Sequence, residues 1–93
     1  MLVGTLEVKL YAPWVHSLKE KRMILKSIMG KLKNHFNIAV NEVAQQDTHQ
    51  IMVIGIAMIA THMAGIDTTL DHIIEFIEQH TEAEILEMTR EVY

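Results

Sequence analysis

No cysteine occurs among the 93 residues, which excludes disulfides, thiolate metal ligands and cysteine nucleophiles together. Proline appears once, at Pro13, and the four glycines at 4, 30, 55 and 65 are isolated. There is therefore no Gly-rich phosphate loop and no flexible linker. The five aromatic residues are dispersed, and the stretch most able to form a central strand has none. That disfavours base stacking on an open sheet. The longest apolar run, Ile51 to Ala60, has ten residues, against the roughly 18 that suggest a membrane span. The opening residues Met1 to Glu7 lack a basic n-region and turn polar too early for a secretory signal. A cytoplasmic protein with no membrane partner is expected.

Enzyme signatures are equally sparse. The six histidines at 16, 35, 49, 62, 72 and 80 include no i, i+4 pair, so neither a metal site nor a cofactor is expected. Asp67, Asp71, Glu75 and Glu78 trace one side of a helical segment, the pattern of a solvated face and not of an acid–base pair. No catalytic residue emerges, and an enzyme is not expected.

What is present is a well-mixed globular composition, 49% hydrophobic and 22% charged, enough for one core and one domain spanning residues 1–93. The net charge of −4 is unevenly spread. Residues 1–46 carry seven cations against three acids, and residues 47–93 carry one cation against nine acids. Two readings stand: the halves neutralise each other across the fold, or a basic contact patch survives.

Hydrophobic periodicity orders the elements. Leu2, Leu6, Val8 and Leu10 alternate with polar positions up to Tyr11, a first strand. Pro13 breaks the chain into a loop. Leu18, Leu25, Ile28, Met29, Leu32 and Phe36 then follow a helical period to about His35. Asn37 to Ala44 alternates weakly as a second strand, followed by a polar turn at Gln45 to Thr48. Ile51 to Ala60 is apolar on both faces, a central strand in which Gly55 marks a close approach. Thr61 is the expected cap of a second helix ending near His80, and Glu84 to Val92 forms the last strand. The order βαββαβ predicts an α+β, ferredoxin-like fold, with a four-stranded antiparallel sheet and both helices on one face. One side of the central strand then stays bare. The side bearing Met52, Ile54, Ile56 and Met58 is assigned as an interface for a homodimer or another protein.

The helix start carries the best functional lead, Ser17-Leu18-Lys19-Glu20-Lys21-Arg22. Ser17 and Glu20 form a capping box, in which the Glu20 carboxylate is expected to return to the Ser17 N–H. The cations do not fit that role, because positive charge near a helix N-terminus opposes the macrodipole. Lys19, Arg22, Lys26 and Lys33 share one side of the helix, a basic stripe about 20 Å long suited to phosphates. The competing explanation is a solvated side facing the acidic second helix. Lys21 points instead into the apolar arc, where it must snorkel or meet a carboxylate. With Trp14, in the loop just before, it is a secondary candidate for nucleic-acid contact. Trp14 equally suits closure of a core edge.

These residues resemble the YlxP-like family of small bacterial proteins of unknown function. The resemblance spans the whole chain. It is most specific in Ser17 to Arg22, in Phe36-Asn37-Ile38-Ala39-Val40-Asn41-Glu42-Val43, and in the Asp47 to Gln50 turn before the strand with Gly55. Family members often carry an aromatic where this chain has His49. The resemblance implies a ferredoxin-like fold and, through genes lying beside those for translation initiation and ribosome maturation factors, a link to RNA or the ribosome. It supplies no catalytic residues.

Overall fold

In a computed structural model describing all of residues 1–93, the period-two segment Leu2–Tyr11 forms β1 and the central apolar run Ile51–Ala60 forms β3. They pair antiparallel along their full length, from Leu2 opposite Ala60 to Tyr11 opposite Ile51. The edges are β2 (Ala39–Ala44) beside β3 and β4 (Glu84–Val92) beside β1, giving the order β2-β3-β1-β4. Helices α1 (Leu18–His35) and α2 (Met63–His80) make the crossovers. This is the expected βαββαβ ferredoxin-like arrangement. Each edge strand carries a register shift, at Val43 in β2 and at Leu86 in β4. Such bulges bend an edge and interrupt its pairing potential.

Leu6, Val8 and Leu10 of β1 and Met52, Ile54 and Ile56 of β3 meet Leu25, Ile28 and Leu32 of α1 and Ile66, Leu70, Ile73 and Ile77 of α2 in one core. The assignment of Met52, Ile54, Ile56 and Met58 as an exposed interface is thereby corrected. The first three are at most 3% exposed, and Met58 packs partly buried against the same core. The reason is the register: Leu6 opposite Ile56 and Val8 opposite Ile54 place these residues on β1's apolar face, which the helices cover. The bare face is the other one, with Val53, Gly55, Ala57 and Ile59 of β3 beside Thr5, Glu7 and Lys9 of β1.

Two glycines are imposed by packing. A Cβ on Gly4 would lie 2.5 Å from Ile66 Cγ2, where the first turn of α2 rests on β1. One on Gly55 would lie 2.6 Å from Val43 Cγ1, the close approach expected there. The second helix starts one residue later than expected. Pairing with Leu2 keeps Ala60 in the strand, so Thr61 turns the chain and the N-cap falls on His62, whose side chain caps nothing.

Candidate nucleic-acid interface

The first turn of α1 is locally self-sufficient. Ser17, in extended geometry, accepts a hydrogen bond from the Glu20 N–H at 3.1 Å and so satisfies one of the free donors of the helix end. Glu20 Oε2 reaches back to the N–H of His16 at 3.2 Å, one residue before the Ser17 N–H expected for it.

Lys21 is removed from any nucleic-acid role. It is 1% exposed, and its three ammonium protons face three acceptors: Gln45 O at 2.7 Å, Thr48 O at 2.7 Å and Glu42 Oε2 at 2.9 Å. Glu42 Oε2 has no other polar partner. The ammonium therefore ties the first turn of α1 to β2 and to the β2–β3 turn, where Gln45 holds the left-handed backbone value φ 59°. A non-glycine residue in that region persists where its surroundings fix it. Here a buried charge bonds to its carbonyl, and the turn closes with Thr48 N–H donating to Gln45 O. Gln50 completes the latch, its Nε2 donating to Pro13 O at 3.0 Å and Val15 O at 3.3 Å. Glu42 and Gln50 were not legible as partners. The three segments that carry the family resemblance thus converge on one structural clamp.

The stripe is what the clamp leaves over. Lys19, Arg22, Lys26 and Lys33 are all exposed. Arg22, Lys26 and Lys33 line a groove of about 320 Å³ between α1 and edge strand β2, with Met29 and Gly30 in its wall and Asn41 across from them. The stripe therefore faces away from α2. Trp14 does not join it: that ring, 40% exposed, lines a cleft with Met23, Ser27, His80 and Glu82 on the flank of α1 turned to α2. Asn41 belongs to the groove and was not singled out by sequence. Its place inside the family-specific segment was the available signal.

No direct ion pair joins the two halves of the chain. The ion pairs are Lys21 with Glu42, and Arg90 with Asp67 and with Asp71. Each lies within one half of the chain, so the basic and acidic halves make no ion pair with each other. Lys19, Arg22, Lys26 and Lys33 have no carboxylate within 4 Å. Unpaired cations aligned on one surface raise the local concentration of anions.

A single sheet carrying two helices on one face defines a small ferredoxin-like domain with a basic helix flank. The chain belongs to the family described as Protein of unknown function (DUF503), whose model matches residues 3–90. It is 37% identical over 68 residues to "Uncharacterized protein YlxP" of Bacillus subtilis (strain 168), covering 73% of this chain and 74% of that protein. Among solved structures it is similar to the de novo designed protein Ferredog-Diesel, with a TM-score of 0.55 and 13% identity over 96% of this chain and 83% of the other. It is also similar to the structural-genomics protein YJCS, with a TM-score of 0.53 and 11% identity over 96% of each chain. These likenesses concern the fold alone. No helix is long and apolar enough to cross a membrane.

Proposed function

We propose that this chain is a non-enzymatic cytoplasmic binding protein that holds an RNA backbone, free or within the ribosome, along the outer flank of α1. The observation that carries the reading is the unpaired stripe. Four exposed cations lie on one side of a helix, and the fold uses none of them. Their positions at i, i+3, i+7 and i+14 repeat over about 20 Å of axis, a span that meets several successive phosphates. Phosphate contacts of this kind fix position and affinity without reading sequence. The groove beside the stripe gives Asn41 a place against the sugar edge of the same strand. The open sheet is unsuited to the role because its exposed charges are mostly carboxylates.

A filter-binding titration against ribosomal RNA tests the proposal. The variant K19E/R22E/K26E should fold as the wild type does and lose binding, whereas E75Q/E78Q on α2 should bind unchanged. Equal retention of RNA by wild type and the stripe variant would sink the reading.

A further inference from the structure

We propose that the open face of the sheet docks a basic protein segment in extended form, with its apolar side chains on the floor and its cations at the rim. This surface lies on the opposite side of the sheet from the helices and meets the groove beside α1 only at Asn41 of the edge strand. Small residues build its floor: Thr5 opposite Ala57, and Gly55 opposite Glu7. Asn41 and Val43 wall it on the β2 side, and Glu91 and Tyr93 on the β4 side, around a trough of about 620 Å³. Its depth follows from packing, since Gly55 offers no side chain and Val43 leans over it. Val43, Ile59 and Tyr93 are exposed apolar bodies around it, at 48%, 64% and 68%.

The rim charge selects the occupant. The pairing register puts Glu7, Glu84, Glu87 and Glu91 on this face against a single cation, Lys9. None of these carboxylates is in an ion pair. The Glu91 carboxylate is engaged only by the Tyr93 hydroxyl, which donates to its Oε2. A second copy of the chain would bring four carboxylates and one ammonium against the same set, so like charge opposes self-pairing. Nucleic acid would bring phosphates of the same sign as the rim. A segment alternating apolar residues with lysine or arginine matches both the floor and the rim, because a strand presents its side chains with period two.

The test is a titration of ¹⁵N-labelled protein with an acetylated, amidated hexapeptide of three Lys-Val repeats, with its Glu-Val counterpart and with oligouridine, followed by amide shifts. The Lys-Val peptide should move Thr5, Gly55, Ala57 and Glu91, and the Glu-Val peptide should leave them still. Its dissociation constant should rise at least about fivefold in E7K/E91K, which replaces two of the four rim carboxylates with lysine. It should rise also in A57F, which fills the floor and leaves the charge unchanged. Four results would overturn the proposal: no shift at these amides with the Lys-Val peptide, equal response to both peptides, undiminished binding by A57F, or the same shifts from oligouridine or from raising protein concentration alone.

Discussion

Helices α1 and α2 have the same length, 18 residues, and pack on the same face of one sheet, yet they treat charge in opposite ways. On α2 the acids Asp67 and Asp71 are engaged by Arg90 of β4, the only cation in that half. On α1 one cation, Lys21, is taken wholly into the structure, and five others, the four of the stripe and Lys31, are left with no ion-pair partner. The N-termini differ likewise, with a Ser17 cap on α1 and an uncapped His62 on α2. Charge that a fold consumes explains stability, and charge it leaves idle points to a partner. On that ground we propose the α1 flank as the surface that meets RNA, while the unpaired carboxylates of the open sheet face mark the second surface.

The sharpest way to break this contrast lies within α1 itself. Lys21→Met should cost about 3–5 kcal/mol in urea denaturation, because it strands the Glu42 carboxylate and two turn carbonyls. Lys19→Met, on the stripe, should stay within about 0.5 kcal/mol of wild type. Adding Glu42→Leu to Lys21→Met should restore much of the loss, since an apolar pair removes the orphaned charge. Similar costs for Lys19 and Lys21 would erase the division between consumed and idle cations.

The caps come next. Ser17→Ala should lower stability by about 1 kcal/mol, whereas His62→Ser should raise it by about 0.5 kcal/mol by supplying the bond that α2 lacks. Melting experiments on the two variants should therefore move in opposite directions. The smallest effect is confined to one ring. The Tyr93 hydroxyl bonds to Glu91, whose negative charge adds to that bond, so the Tyr93 pKa is raised above the ordinary phenol value. A raised pKa means that any stabilisation is complete below the unfolded value and is lost as pH climbs through the folded one. Titration of the Tyr93 ring by NMR should show Glu91→Gln bringing the midpoint down. An unmoved midpoint would remove the contact.

Most of the fold was legible because each element's signal is local. The period of Leu2 to Leu10, the helical spacing from Leu18, and the turn residues at 45–48 all sit within short windows. What failed was non-local. Both faces of Ile51–Ala60 are apolar, so only the pairing of Leu6 with Ile56 decides which is covered. A single sequence does not display that register. The buried direction of Lys21 followed from its helical angle, but Glu42 as its partner depends on how β2 docks beside α1. The stripe could be drawn on a wheel, whereas its orientation toward β2 and away from Trp14 and α2 required the assembled layers. Thr61 failed as a cap because the chain uses one residue to turn from Ala60 toward α2, which puts the N-cap at His62.

The central claim, that the idle cations of α1 are phosphate contacts, is most directly tested by the salt dependence of RNA affinity. Four single-strand phosphate contacts predict a plot of log K against log salt with a slope of about −3. The variant R22Q/K26Q should make that slope shallower by about 1.4. A slope near zero in the wild type, or one that the double variant leaves unchanged, would contradict the account.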